Sequence, residues 1–149
     1  MVVKLRRILL VEDNPNDAEL TREALAEHNL ANCVDWVKDG EEALDYLYGR
    51  GRYAGRSPSG LAVVLLDLKL PKVDGLEVLR TLKADAKLKY TPVVVLTSSR
   101  EEQDMIESYR LGVNAYVVKP VNFHDFTDAV KELGAFWAIV NEPPPISCQ

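Results

Sequence analysis

Five short apolar runs punctuate the chain, and each is followed by a stretch in which apolar residues return at helical spacing. Ile8-Leu9-Leu10-Val11 closes on Glu12-Asp13-Asn14-Pro15, where Asn14 can cap a helix that starts at Pro15 and carries Ala18, Thr21, Leu25 and His28 on one face. A second strand, from about Cys33 through Val34, Trp36 and Val37, turns at Asp39-Gly40 into a helix over Glu41 to Tyr48 with Ala43, Leu44 and Leu47 inward. Gly49 to Gly60 has no period and holds Arg50, Arg52 and Arg56 among glycines and a proline, so it reads as a long loop. Leu61 to Leu66 is a third strand, and after Pro71, Asp74 and Gly75 a helix with Leu76, Leu79, Leu82 and Lys83 ends before Pro92. Val93 to Leu96 leads through Thr97-Ser98-Ser99 into a helix from Glu101 to Leu111, with Ile106 and Tyr109 as its buried residues and Gly112 just past its end. Tyr116-Val117-Val118 ends on Lys119-Pro120, and Asn122 caps a last helix whose inward stripe is Phe123, Phe126, Val130, Leu133 and Trp137.

Strands that are apolar throughout, alternating with helices, imply a parallel sheet covered on both faces, and right-handed crossovers leave few topologies. The expected fold is α/β, a doubly wound flavodoxin-like sheet of five βα units in the order 2-1-3-4-5. Every strand then ends at one edge of the sheet, where ligands bind in such folds. The polar residues that end strands one, three, four and five, namely Glu12 with Asp13, Asp67, Thr97 and Lys119, converge there.

Composition narrows the function classes. At 149 residues, 47% hydrophobic and 28% charged, the chain suits one compact domain with little room for a second. A net charge of −5 argues against a basic nucleic-acid footprint. Glu12 cuts the first apolar run far short of a signal core or membrane span, so the expected location is cytoplasmic. Cys33 and Cys148 have no metal or disulfide spacing and read as plain thiols.

Each edge residue has a plain explanation when taken alone: acids near a helix N-terminus, a turn aspartate, a strand-end hydroxyl, a solvated lysine. Together they describe a site. Three crowded carboxylates resist ionising unless a cation neutralises them, and hard oxygen donors of this kind suit Mg²⁺. With Lys119 and Thr97 opposite the metal, Asp67 can act as a nucleophile in phosphoryl transfer and become an acyl phosphate. A flavodoxin-type cofactor binder would place its phosphate at the first strand-helix loop, where Glu12 and Asp13 repel it. An aspartyl-phosphate hydrolase usually carries a second acid two residues after its nucleophile, a position that is Lys69 here.

From Ile8 to about Trp137 the sequence resembles the receiver domains of two-component response regulators. The motifs are Glu12-Asp13, Asp67 with Pro71, Asp74 and Gly75, Thr97-Ser98, Tyr116 and Lys119-Pro120. The resemblance implies that Asp67 accepts phosphate from a histidine kinase, with Mg²⁺ held by Asp13, Asp67 and the Lys69 carbonyl, and by Glu12 directly or through water. It also implies that Thr97 and Lys119 bind phosphate oxygens, that Lys69 and Ser99 influence hydrolysis, that Tyr116 rotates with Thr97 on activation, and that the peptide before Pro120 is cis. The protein is then not an enzyme but a phosphoacceptor that assists its own phosphorylation and dephosphorylation. Residues 1–140 form the receiver domain and 141–149 a C-terminal tail.

Glu12, where the family commonly has Asp, joins the long loop, Leu88-Lys89, Asn114 and Phe136-Trp137 in a finer likeness to single-domain regulators paired with bacterial phytochrome histidine kinases. The first helix would be the kinase-docking face. The all-apolar run Ala135 to Val140 exceeds what one helix face can bury, which points to a homodimer through the fourth helix, fifth strand and fifth helix, or to a chain end folded back on itself. A phosphorylation-independent adaptor, and a phosphate shuttle or sink in a phosphorelay, remain as alternatives.

Overall fold

Alternation along β1 (Arg7–Val11) builds the two-layered core: Ile8 and Leu10 enter one apolar cluster, Leu9 and Val11 the other. The computed structural model describes residues 7–27, 34–55, 61–120 and 122–137. Its further elements are α1 (Pro15–Ala26), β2 (Val34–Val37), α2 (Gly40–Tyr48), β3 (Leu61–Leu66), α3 (Gly75–Ala84), β4 (Val93–Thr97), α4 (Glu102–Arg110), β5 (Ala115–Val118) and α5 (Phe123–Ala135). All four strand pairings are parallel and the order is β2-β1-β3-β4-β5, as the apolar pattern predicts. Ala18 and Leu25 of α1 join Phe126 and Val130 of α5 beneath one face. Ala43 and Leu47 of α2 with Val78, Leu79 and Leu82 of α3 cover the other.

The predicted caps form. Asn14 Oδ1 accepts from the amides of Asn16 and Asp17 at 2.9 and 3.2 Å with Pro15 at the first helical position. Asn122 Oδ1 accepts likewise from His124 and Asp125 at 2.8 and 3.2 Å.

Several expectations are corrected. Ile106 and Tyr109 are half exposed, at 50% and 52%, because the inward positions of α4 fall on Asp104 and Ser108 instead. Phe123 is 60% exposed; it occupies the first position of α5, one turn before the buried stripe takes hold at Phe126. The Gly49–Gly60 segment is not irregular throughout, since a 3-10 turn at Gly51–Tyr53 sets the Tyr53 ring edge-on to Tyr46, 5.2 Å between centroids. No described peptide bond is cis, so the Lys119–Pro120 bond is trans; the small preference between isomers at X-Pro bonds lets the sequence accept either. His28, Cys33, Arg56, residues 138–140 of the apolar run, and 141–149 including Cys148 lie outside the described residues. No described helix is long and apolar enough to cross a membrane.

Gly75 fixes the floor of the sheet edge. A Cβ there would lie 2.3 Å from the Asp67 carbonyl oxygen and 2.5 Å from Leu68 Cα, and its amide donates to the Leu68 carbonyl at 2.9 Å. The start of α3 therefore packs directly on the backbone that carries Asp67. Gly75→Ala is expected to destabilise by at least about 1–3 kcal/mol in urea denaturation, the cost of forcing atoms into a filled site; an unchanged midpoint would mean that this close approach is not needed.

Candidate functional site

Four strand ends deliver the site. The Glu12 amide extends the β1–β2 ladder to the Val37 carbonyl at 3.1 Å, and the Asp67 amide extends β1–β3 to the Val11 carbonyl at 3.1 Å. Both carboxylates are thus fixed by sheet backbone and both are buried. The Lys119 amide bonds the Thr97 carbonyl at 2.7 Å, which holds these two beside each other where β4 and β5 end. Asp13, one residue beyond Glu12, is exposed.

The Lys119 ammonium is the centre. Its Nζ lies 2.5 Å from Glu12 Oε1, 2.9 Å from Asp17 Oδ2 and 3.0 Å from Asp67 Oδ2, so three protons meet three carboxylates. Burial works to lower its pKa, but the Glu12 hydrogen bond, the Asp67 and Glu12 charges and the Asp17 hydrogen bond outweigh it, and the pKa ends well above the usual lysine value. Lys119 is therefore a fixed cation. Asp67 Oδ1 accepts from the Lys69 amide at 3.3 Å, and Trp36 Nε1 donates to the Glu12 carbonyl at 2.7 Å.

Burial pushes the Glu12 carboxyl up to about 7, against the opposing hydrogen bond and charge of Lys119 and with further upward push from the Asp67 charge. Glu12, Asp17 and Asp67 surround one ammonium and Asp13 lies beside Glu12 and Asp67, so the cluster holds more acid than its own cation neutralises. Glu12, Asp13 and Asp67 each bring an oxygen within 4.8 Å of the others'. Hard, closely spaced oxygen donors with unneutralised charge fit a divalent cation of the Mg²⁺ or Mn²⁺ type. The expected carbonyl donor, Lys69, follows Asp67 in the bend after β3.

Thr97 is fully buried at the end of β4, and its Oγ1 accepts from the Ser99 amide at 3.3 Å. Tyr116 donates its hydroxyl proton to the Ser99 carbonyl at 3.0 Å and so closes over the same loop. The edge residues expected from the strand pattern, Glu12, Asp13, Asp67, Thr97 and Lys119, do come together. Two further groups do not announce themselves in the sequence. Asp17 reads as an ordinary first-turn acid of α1, yet it reaches Lys119 across 102 residues of chain. Asp104 is a buried acid in the first turn of α4, at a position the helical period assigns to no charge.

A family model for the response regulator receiver domain matches residues 8–131. This chain belongs to that family. Among curated relatives, the receiver is 42% identical to response regulator Rcp1 of Synechocystis sp. over 130 residues, 87% of each chain. Among solved structures, it is similar to the phosphorylated cyanobacterial phytochrome response regulator RcpA, with TM-score 0.88 and 43% identity over 95% of this chain and 100% of that one. The Mn(2+)-bound form of Rcp1 gives TM-score 0.87 and 40% identity over 94% and 99%. The bacteriophytochrome response regulator AtBRR gives TM-score 0.73 and 61% identity over 94% and 100%.

The Glu12 carboxyl holds its proton more tightly in the fold than in the unfolded chain. Its ordinary pKa is 4.5, so between about 4.5 and 7 the folded protein keeps a proton that the unfolded chain has lost, and metal-free stability falls as pH rises through that window. A cation must displace the same proton. Affinity for Mn²⁺, measured by titration calorimetry, should fall by up to about tenfold per pH unit below 7 and level off above it, and Glu12→Gln should flatten the profile. A wild-type affinity that does not change from about pH 6 to about pH 8 would remove Glu12 from the cation site.

Proposed function

We propose that this receiver accepts a phosphoryl group on Asp67 from a sensor histidine kinase and passes the signal on through phosphorylation-dependent protein contacts. The observation that carries the reading is the Lys119 ammonium 3.0 Å from a buried Asp67 carboxylate, with the acidic cluster of Glu12 and Asp13 on the same sheet edge. Such a carboxylate is held in one orientation, from one side by Lys119 and from the other by the Lys69 amide. In the transfer, an Asp67 oxygen forms a bond to phosphorus as the phosphorus–nitrogen bond of the kinase phosphohistidine breaks, and the imidazole leaves with the electron pair.

Lys119 and the Thr97 hydroxyl supply donors for the phosphoryl oxygens, Lys119 by exchanging a carboxylate partner for a phosphoryl oxygen. Mg²⁺, held by Glu12, Asp13, Asp67 and the Lys69 carbonyl, would neutralise the charge spreading over those oxygens. Support for a divalent ion comes from the donor set here and from the Mn(2+)-bound Rcp1 relative. The chain is a phosphoacceptor, not a turnover enzyme, although the same side chains assist both gain and loss of the group. RcpA and AtBRR support a kinase of the bacterial phytochrome type, and α1 is its docking face.

Half-exposed Ile106, Tyr109 and Phe136, with an open groove lined by Val117, Leu133 and Trp137, support a homodimer through α4, β5 and α5. Sedimentation velocity should show a dimer that Ile106→Asp shifts to monomer; a monomer at every concentration, with and without phosphoryl donor, would remove that contact.

Intact-mass measurement after acetyl phosphate and Mg²⁺ tests the main reading. Wild type should gain one phosphoryl mass, and Asp67→Asn or chelated samples none. A gain that survives Asp67→Asn would move the acceptor elsewhere, and no gain in wild type would favour an adaptor that works without phosphate.

A further inference from the structure

Among the described helices, α4 alone buries no apolar side chain of its own; its buried residues are Asp104 and Ser108. Ser108 spends its hydroxyl on the Asp104 carbonyl at 2.7 Å within the helix. What ties the start of α4 to the rest of the fold is therefore largely the Asp104 carboxylate. Its Oδ2 accepts from the Ser99 hydroxyl at 2.6 Å and lies 3.5 Å from Lys69 Nζ. A helix held by polar contacts and little apolar area opens at low cost.

The two partners of Asp104 come from the two loops that flank Asp67. Lys69 is two residues after it, and its amide already bonds Asp67 Oδ1 at 3.3 Å. Ser99 follows Thr97, donates its amide to Thr97 Oγ1 at 3.3 Å, and offers its carbonyl to Tyr116 at 3.0 Å. One carboxylate thus gathers the β3–α3 loop, the β4–α4 loop and α4. The Asp104 charge also holds the Lys69 ammonium above the usual lysine pKa.

Resting on the phosphoacceptor reading of Asp67, we propose that Asp104 is a positioning residue. In the unmodified protein it holds the Lys69 ammonium and the Ser99 hydroxyl at the start of α4, and a phosphoryl group on Asp67 draws Lys69 away and releases that end of the helix. The competition favours the phosphoryl group because it carries about −1.5 to −2 charges against one on Asp104. Lys69 is 60% exposed as a side chain and can swing between the two, and the Asp104 carboxylate that it leaves keeps the Ser99 hydroxyl as a donor. By reciprocity, whatever loosens the Asp104 contact must favour the phosphorylated form.

A charge-pair cycle with beryllofluoride and Mg²⁺ as the phosphoryl mimic tests this, by titration calorimetry on wild type, Asp104→Asn, Lys69→Ala and the double variant. Asn keeps an acceptor for the Ser99 hydroxyl, so the loop retains that bond. Asp104→Asn should tighten beryllofluoride binding roughly two- to fivefold, the range open to a partly exposed ion pair. In the Lys69→Ala background the same change should have no effect. Equal tightening in both backgrounds, or none in either, would overturn the proposal, since a purely structural or through-space role of Asp104 gives no dependence on Lys69. A second reading needs no phosphoryl mimic: amide hydrogen exchange over residues 99–105 should quicken in Asp104→Asn and in Lys69→Ala, and unchanged exchange in both would also overturn it. Wild type that binds no beryllofluoride would refute the phosphoacceptor reading and this proposal with it, whereas binding without coupling refutes the role of Asp104 alone.

Discussion

A buried ammonium shared among three carboxylates is the constraint on which the site depends. Taking Lys119 and Glu12 out of water is costly, and their attraction repays this only where the geometry is good and the remaining donors and acceptors are used. Among the described residues no buried side-chain nitrogen or oxygen lacks a partner, so that condition is met. It is met with an imbalance of charge: Lys119 answers three acids at once, Asp13 adds another beside them, and Glu12 responds by holding its proton up to about 7. The arrangement is stable as folded and still attractive to a further positive charge. A divalent cation and a phosphoryl group bring that charge and the anion for which Lys119 can exchange its carboxylate partners.

The rest of the fold serves to hold these groups still. Three ladder hydrogen bonds at the strand ends, from Glu12 to Val37, Asp67 to Val11 and Lys119 to Thr97, make the site backbone an extension of the sheet. Gly75 lets α3 press against the loop that bears Asp67. Opposite this rigid half stands α4, packed through Asp104 and Ser108 and carrying half-exposed Ile106 and Tyr109 outward. One side of the site is built to keep geometry and the other to change it, which is the division of labour a phosphorylation switch requires.

Much of this was legible in the sequence because it follows from local rules. Apolar runs alternating with helical periods fix a parallel sheet, and a parallel sheet places Glu12, Asp67, Thr97 and Lys119 on one edge whatever the details of packing. Asn14 and Asn122 cap their helices through contacts only two or three residues away. What could not be read is tertiary. Asp17 meets Lys119 only because α1 and β5 converge in space, and nothing within its own turn indicates that partner. The inward face of α4 is hidden from the sequence for a related reason: hydrophobicity points to Ile106 and Tyr109, but the polar needs of the adjoining loop claim Asp104 instead. Periodicity locates apolar cores and is silent where a polar network holds a helix.

In the proposed transfer one carboxylate, Asp67, becomes the acyl phosphate. Borohydride reduction of the phosphorylated protein, which converts an aspartyl phosphate to homoserine, followed by peptide mass mapping, tests it at the level of the residue. Homoserine at position 67 and nowhere else is the predicted result. Homoserine at position 13 or 17, or its absence from a protein that has gained phosphate, would rule out Asp67 as the acceptor.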